Sequence, residues 1–283
     1  MDQPRPVIAV PVHRPEPSAD ESLALARCQA VLGRHPIRIV HPAGMDNSAY
    51  RRLLPAARPL EVPPGWMASY RAYNRMLVNP SFFRLFRGHS HLLIHEPDAL
   101  VVSDRLIHWC QQECDYIGAP WFQGFSRSTA DAALHGVGNS GFSLFRLQAV
   151  EALLHSGHRW YPYRALAAET RVMIRNRPLG QGLGAIKSMV TPLVMMAMGV
   201  RRILRCNCDL YWSKFAQLDD PCFRVSDPET AIRFAWEAHP RACLQRCGGE
   251  LPFGLHAWAR YDRAFVVEAL ALESGRSGPD QPG

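Results

Sequence analysis

Two apolar segments of strand length lie on either side of one helix-length segment at the start of the chain, and this arrangement constrains the fold most. VIAVPV (7–12) and IRIVHP (37–42) are short, nearly continuous apolar runs, as buried strands are. Between them, Ser18 and Glu21 have the spacing of a capping box and Gly33 provides a C-terminal stop, so we predict a helix there. Because strand–helix–strand units build sheets covered by helices, the sequence predicts an α/β fold.

The alternation of strands and helices continues along the rest of the chain. Ser226 or Asp227 can cap a helix opened by Pro228, and the small, polar residues 123–136 predict a loop. Further strands are predicted in HLLIH, ALVV, YIGAPW and GFSLFR, and further helices at 66–78 (ended by Asn79-Pro80), at 105–113 and from about Asp262 to Glu273. This order suits a central sheet layered between helices.

Two carboxylates interrupt an apolar run in HLLIHEPDALVV (91–102), at Glu96-Pro97-Asp98. Burying an unpaired carboxylate is so unfavourable that the group normally gains a partner, a proton or a metal. Ligands of α/β sheets bind beyond the carboxyl ends of the strands, which is where Glu96 and Asp98 are expected to lie. On composition alone, a solvated turn between two short strands remains an equal alternative.

Charge leaves several classes of ligand open. The formal net charge of the 283 residues is +7, and only Lys187 and Lys214 are lysines, so arginine carries nearly all the positive charge. Arginine suits bidentate phosphate contacts, although a GC-rich genome produces the same bias. A positive chain fits a phosphate-bearing ligand, an anionic membrane surface or nucleic acid, and the charge does not choose among them.

The first residues and the cysteines indicate a reducing compartment. The segment MDQPRPVIAV lacks the charged and then apolar pattern of a signal peptide, so we expect a cytoplasmic protein. None of the close cysteine pairs among the eight cysteines has the two-residue gap typical of zinc sites. Buried free thiols are therefore expected.

Six motifs in a fixed order resemble one protein family over about residues 6 to 268. They are VIAVPVHRP (7–15), YNRMLVNPSFF (73–83), YIGAPWF (116–122), GVGNSGFSLFR (136–146), CNCDLYWS (206–213) and LPFGLHAW (251–258). The ordered set resembles the "domain of unknown function 5672" family, which is similar to A-type (GT-A) glycosyltransferases. The resemblance implies a single GT-A-like domain over residues 6–272, with a mixed central sheet flanked by helices. The composition of residues 273–283 predicts a disordered tail.

The resemblance implies a divalent metal, Mn²⁺ or Mg²⁺, held against the diphosphate of a nucleotide-sugar donor. Glu96 and Asp98 match the acidic strand-end motif of A-type glycosyltransferases, and Asp98 matches its better retained position. His256 in LPFGLHAW matches a C-terminal histidine that completes the metal site in many such enzymes. Oxygen ligands suit these hard cations. From the residues alone, a packed, hydrogen-bonded core histidine is the commoner explanation of His256.

The remaining implied roles concern the base, the sugar and the nucleotide. Asp209 in CNCDLYWS takes the place of the catalytic base if the reaction inverts configuration, while Cys208 stands where relatives have glutamate. From the residues alone, Asp209 is equally explained as a helix N-cap and the GVGNSG stretch as a tight turn. The other implied contacts are Asn139, Ser140 and Gly141 with the sugar, and Pro11, Val12 and His13 with the nucleotide.

Together these features predict a metal-dependent glycosyltransferase that uses a nucleotide-sugar donor and a glycan or lipid-linked acceptor. The alternatives are a catalytically degenerate sugar- or nucleotide-binding protein, suggested by Cys208, and a basic nucleic-acid-binding protein, for which no recognition motif is present. Residues 179–205 begin with glycines, become apolar and end in arginines. They predict either a core helix or a lid near the acceptor, in peripheral contact with the inner face of an anionic membrane.

Overall fold

The computed structural model of the chain describes residues 3–155, 190, 193 and 208–276. Its strands are β1 (Pro6–Pro11), β2 (Ile37–Pro42), β3 (Arg58–Val62), β4 (His91–His95), β5 (Leu100–Val101), β6 (Tyr116–Ile117), β7 (Pro120–Phe122), β8 (Leu134–Val137), β9 (Phe142–Arg146), β10 (Ala235–Trp236) and β11 (Gly254–Leu255). The main sheet of this part of the chain has the order β3-β2-β1-β4-β9-β6. Strands β3, β2, β1 and β4 run parallel, whereas β9 is antiparallel to both β4 and β6, so the sheet is mixed.

Helices cover this sheet along the described chain. They are α1 (Ala19–Leu32), α2 (Ser48–Leu53), α3 (Tyr70–Met76), α4 (Pro80–Arg84), α5 (Leu106–Cys110), α6 (Leu147–His155), α7 (Cys208–Leu210), α8 (Ala216–Asp219), α9 (Pro228–Phe234), α10 (Pro240–Arg246) and α11 (Trp258–Arg276). A π-helical turn, Tyr211–Phe215, joins α7 to α8. None of the helices in the described ranges combines the length and the apolar character that crossing a membrane requires.

The start of the fold agrees with the sequence because its signals are local hydrogen bonds and continuous burial. All six residues of β1 are buried, as in a central parallel strand. Ser18 accepts a hydrogen bond from the backbone N–H of Glu21, and the Glu21 side chain accepts one from the backbone N–H of Ser18. Asp227 caps α9 because its side chain accepts a hydrogen bond from the backbone N–H of Thr230. These predicted boundaries are confirmed.

Other boundaries differ from the sequence-based predictions. Pro80 opens α4 and does not merely end the preceding helix, since proline is well tolerated at the first helical position. The loop predicted at 123–136 is wrong at its end, because β8 pairs antiparallel with β7 there. Helix α11 begins at Trp258, is kinked at Asp262 and continues to Arg276, past the predicted end at Glu273.

Two of the predicted segments fall wholly or mostly outside the described residues. Within 179–205 only Val190 and Leu193 are described, so the lid and core-helix predictions for that segment lie outside the described residues. The tail predicted as disordered also lies outside them from residue 277 onward. The seven described cysteines are free thiols and most are buried, as expected for a reduced protein.

The ends of six strands converge at one edge of the fold. The carboxyl ends of β1 and β4 lie side by side because these strands are parallel. Strand β9 begins at the same edge, since Phe142 pairs with His95 in antiparallel register. In a second, three-stranded sheet, β10 and β11 run parallel and β11 pairs antiparallel with β5, which opposes Leu255 to Leu100. The segments that leave these ends therefore surround one space.

Candidate active site

A cavity of about 700 Å³ opens at this edge. It is lined by all but one of the residues that the sequence analysis selected: Pro11, Val12, His13, Glu96, Asp98, Asn139, Ser140, Asp209 and His256. The exception is Gly141, whose backbone lies directly behind the ring of His256. The structure thus brings together residues from five separate stretches of the chain.

The carboxylates in HLLIHEPDALVV occupy a tight turn between β4 and β5. The N–H of Ala99 donates to the carbonyl of Glu96 at 2.9 Å, which makes Pro97 the second residue of a four-residue turn, a position that suits its fixed φ. The turn predicted from composition is therefore present, but it faces the cavity. One carboxylate oxygen of Glu96 accepts a hydrogen bond from the hydroxyl of Tyr73 at 2.7 Å.

His256 faces both carboxylates of this turn. Its backbone N–H donates to the carbonyl of Trp236 at 2.8 Å, which extends the pairing of β10 with β11 by one residue. Its Nε2 lies 3.6 Å from Oε2 of Glu96 and 3.7 Å from Oδ1 of Asp98. On the other side of the ring, Nδ1 lies 3.5 Å from Oε1 of Glu237. Burial alone lowers the pKa of His256, but the neighbouring carboxylates of Glu237 and Glu96 outweigh it, so this pKa lies well above its usual value.

The donor set fits a divalent cation. Ligand atoms of Glu96, Asp98 and His256 all lie within 4.8 Å of one another. Oδ1 of Asp98 is buried without a hydrogen-bond partner in the described structure, although the side chain as a whole is about half exposed. Three carboxylates, including that of Glu237, face a single imidazole, which leaves excess negative charge. Two hard oxygens and one nitrogen are ligands that Mn²⁺ accepts, and Mg²⁺ accepts the oxygens.

Gly141 leaves room for the ring of His256. A methyl carbon built on Gly141 would lie 2.1 Å from Nε2 of His256, far inside van der Waals contact. The carbonyl of Gly141 accepts the backbone N–H of Glu96 at 2.8 Å, so this residue contacts both halves of the candidate metal site. The preceding residue pair forms a turn into β9, with Asn139 in the left-handed region at φ 57°. The GVGNSG stretch is therefore a tight turn, and its last glycine, Gly141, also contacts the candidate metal site.

Replacing Gly141 with alanine is expected to weaken divalent-metal binding about tenfold or more, because the ring of His256 must move away from Glu96 and Asp98. The same overpacking is expected to lower the free energy of unfolding by about 1–3 kcal/mol. Gly65→Ala is the matched control, since a methyl group there meets nothing within 4 Å. Titration with Mn²⁺ and thermal unfolding of both variants measure the two effects. Equal metal affinity in Gly141→Ala and Gly65→Ala would contradict this account.

Asp209 reaches the cavity because the aromatic residues after it are anchored in the core. Trp212 is buried and its Nε1 donates to the carbonyl of Leu77 at 3.0 Å, while the hydroxyl of Tyr211 donates to Asp219 at 2.5 Å. Both belong to the π-helical turn, a form that recurs at functional sites. Burial raises the pKa of Asp209 to about 6, and the negative charge of Glu237 adds to the rise.

The opposite wall of the cavity follows β1. Pro11, Val12 and His13 continue from the strand end, and the N–H of Val12 still donates to the carbonyl of Val40 at 2.8 Å. Beyond them, the guanidinium of Arg14 pairs with the capping residue Glu21. The α1 capping box thereby holds one basic side chain at this wall.

A match to a family of proteins of unknown function, DUF5672, extends over residues 57–256, which is more than half of the chain. The chain belongs to the DUF5672 family. This confirms the resemblance that the ordered motifs indicated, and the matched range contains Glu96, Asp98, Asp209 and His256. A comparison with curated proteins found no match.

Among solved structures, the chain is similar to the galactosyltransferase LgtC in complex with donor and acceptor sugar analogs. The identity is 13%, the TM-score is 0.50 and 97% of each chain is covered. Mouse xyloside xylosyltransferase 1 has 10% identity and a TM-score of 0.45, with 89% of this chain and 96% of that chain covered. The glycosyltransferase GlyE of Streptococcus pneumoniae TIGR4 has 12% identity and a TM-score of 0.43, with 100% and 66% covered. The likeness to LgtC establishes the GT-A fold and confirms the predicted mixed α/β domain.

Several cavity residues of this DUF5672 chain were not selected from the sequence. Tyr73 was placed in a predicted helix, but nothing in the sequence indicates that its hydroxyl reaches Glu96. Glu237 follows a strand of only two residues, too short to give a periodic signal. The others with polar side chains include Arg14, Tyr50, Tyr70, Asn74 and Arg260.

Proposed function

We propose that the protein is a metal-dependent glycosyltransferase, which transfers a sugar from a nucleotide-sugar donor to a hydroxyl of a glycan or lipid-linked acceptor. One observation carries the proposal: in a GT-A fold, a cluster of Glu96, Asp98 and His256 opens into the same cavity as a buried carboxyl group, Asp209. Glu96 and Asp98 follow the end of β4 and His256 follows the end of β11, where ligands of such sheets bind.

Asp98, Glu96 and His256 would hold Mn²⁺ or Mg²⁺. When bound, the cation supplies Lewis-acid stabilisation of the negative charge on the departing nucleoside diphosphate. Asp98 contributes a buried oxygen with no other hydrogen-bond partner in the described structure, and Tyr73 orients Glu96. Pro11, Val12 and His13 would border the nucleotide, while Asn139, Ser140 and Gly141 would border the sugar.

Asp209 would accept the proton of the acceptor hydroxyl if the reaction inverts configuration. A general base works best when its pKa lies near the working pH. The pKa of about 6 leaves Asp209 ionised at neutral pH while keeping it a stronger base than an ordinary aspartate.

A screen of nucleotide sugars with and without Mn²⁺ tests the proposal. A donor present at a free concentration of 100 times its Kd stabilises the fold by about 2.7 kcal/mol. We therefore expect a clear rise in Tm for at least one donor, and only with the metal present. Slow hydrolysis of that donor, measured as release of nucleoside diphosphate, is expected alongside. If no donor raises Tm and none is hydrolysed with Mn²⁺ or Mg²⁺, the proposed activity is wrong.

A degenerate, non-catalytic binding protein is the second candidate, because Cys208 stands where the family resemblance places glutamate. The side chain of Cys208 is buried, and its backbone N–H donates to Asn74 at 2.6 Å, so it does not line the cavity as Asp209 does. The carboxylate that lines the cavity is thus retained, which favours the enzyme. Metal-dependent donor binding without any hydrolysis or transfer would favour the degenerate protein.

A further inference from the structure

The ring of His256 is contacted on three sides. Nε2 faces Glu96 and Asp98, one face of the ring lies against the backbone of Gly141, and Nδ1 faces Glu237. The first two contacts belong to the candidate metal site. The carboxylate of Glu237, by contrast, lies on the side of the ring that points away from the other two carboxylates, so the proposed reaction does not use it.

The backbone fixes this pairing. In the parallel register of β10 and β11, Ala235 is opposite Gly254 and Trp236 is opposite Leu255. The next residues in that register are Glu237 and His256, and the hydrogen bond from the N–H of His256 to the carbonyl of Trp236 holds them side by side. Both side chains are largely buried, with 18% of Glu237 and 16% of His256 exposed.

We infer that Glu237 is a positioning residue, which fixes the orientation and tautomer of His256 so that Nε2 is free to bind a divalent cation. The inference rests on the proposed metal site. A histidine has two ring nitrogens. A group that accepts a hydrogen bond from one of them keeps the proton on that nitrogen and leaves the other nitrogen able to act as a ligand. Glu237 lies 3.5 Å from Nδ1, and Nδ1 has no hydrogen bond in the described structure, so this carboxylate is the acceptor within its reach.

Two other roles for Glu237, as a metal ligand or as a purely structural residue, predict a different geometry or a different effect of substitution. A direct metal ligand would need its negative oxygen at the cation, yet the atoms that lie within 4.8 Å of one another come from Glu96, Asp98 and His256. A purely structural residue would affect unfolding but not the affinity for metal. A positioning residue needs only an acceptor atom at the distance of Nδ1, and a glutamine oxygen can provide one.

The test is Mn²⁺ affinity of the full chain, measured by electron paramagnetic resonance of free Mn²⁺, for Glu237→Met and Glu237→Gln. We expect Glu237→Met to weaken binding about 10- to 100-fold, the usual effect of removing a partner of a metal-bound histidine. Glu237→Gln is expected to retain affinity within about threefold, because its side-chain oxygen still accepts from Nδ1. Glu250→Met, which removes an exposed carboxylate paired with Arg233, is the control for loss of charge.

Asp98→Asn separates a ligand from a positioning residue. We expect Asp98→Asn to lose far more affinity than Glu237→Gln, since an amide is a poor substitute for a carboxylate ligand. Equal losses in these two variants, or parent-like affinity in Glu237→Met, overturn the inference while the metal site stands. A parent protein that binds no Mn²⁺ overturns the metal site and the inference together.

A second measurement does not depend on the folding of Glu237→Met. Long-range ¹H–¹⁵N spectra of the parent loaded with diamagnetic Zn²⁺, which accepts both oxygen and nitrogen ligands, and a nucleoside diphosphate report which nitrogen of His256 carries the proton. We expect the proton on Nδ1, the side that faces Glu237. A proton on Nε2 overturns the inference.

Discussion

Asp98→Ala is expected to lower the affinity for Mn²⁺ by about 100-fold or more and to abolish metal-dependent binding of the nucleotide-sugar donor. The change removes an oxygen ligand, and the loss should exceed the 10- to 100-fold effect of removing an outer partner of a bound metal. Burial raises the pKa of Asp98, so its ionised form is disfavoured in the folded protein. The metal-free variant should therefore unfold at the same temperature as the parent or slightly above it.

The loss of Mn²⁺ affinity without a fall in Tm distinguishes a metal ligand from a structural ion pair. If Asp98 only pairs with His256, its removal should lower Tm and leave the response to Mn²⁺ unchanged. Asp131→Ala, which removes an exposed carboxylate elsewhere, is the control and should match the parent in both measurements. Calorimetric titration with Mn²⁺ and a nucleoside diphosphate gives the affinity, and thermal unfolding without metal gives Tm. Parent-like metal affinity in Asp98→Ala would make the central site assignment wrong.

The parts of the fold that the sequence predicted depend on interactions between near neighbours. The partners of the capping box, Ser18 and Glu21, are only three positions apart, and the strand β1 is recognisable because both of its faces are buried. The edge strand β3 was missed because Arg58, Pro59 and Glu61 are solvent-exposed and give it no apolar pattern. Polar residues and proline are what protects an edge strand from further pairing, so the sequence of such a strand resembles a loop.

The residues of the candidate site also divide into those that the sequence indicates and those that only tertiary structure brings into place. Glu96 and Asp98 stand out in the sequence because carboxylates in an apolar run demand an explanation, and the family resemblance added Asp209 and His256. Glu237 carries no such signal, since its position beside His256 arises only when β10 pairs with β11. Residues that would contact a ligand directly can be recognised by residue type, whereas the residues that orient them are brought into place only by tertiary pairing.

Asp209 has the properties that a base needs and that a purely structural residue would avoid. It is buried with an elevated pKa, so its charged form destabilises the fold at neutral pH. The sign follows from proton binding: between the ordinary value of 3.8 and about 6 the folded protein holds more protons than the unfolded chain, so stability falls as pH rises through this range. Above pH 6 the penalty is complete and amounts to about 3 kcal/mol. An uncharged residue at this position would avoid it.

Asp209→Asn is therefore expected to separate activity from stability. Turnover should fall by about 100-fold or more, equivalent to about 2.7 kcal/mol in the barrier, because asparagine cannot accept the acceptor proton. Donor affinity should change little, since Asp98, Glu96 and His256 remain.

In the parent, turnover should rise with pH through about 6 as Asp209 ionises, and the variant should lose this dependence. At pH 8 the variant should unfold at a higher temperature than the parent, and below pH 3.8 the difference should vanish. Asp131→Asn should leave every one of these quantities unchanged. An equal loss of donor affinity would move Asp209 into the donor site, and unchanged turnover would remove it from the reaction.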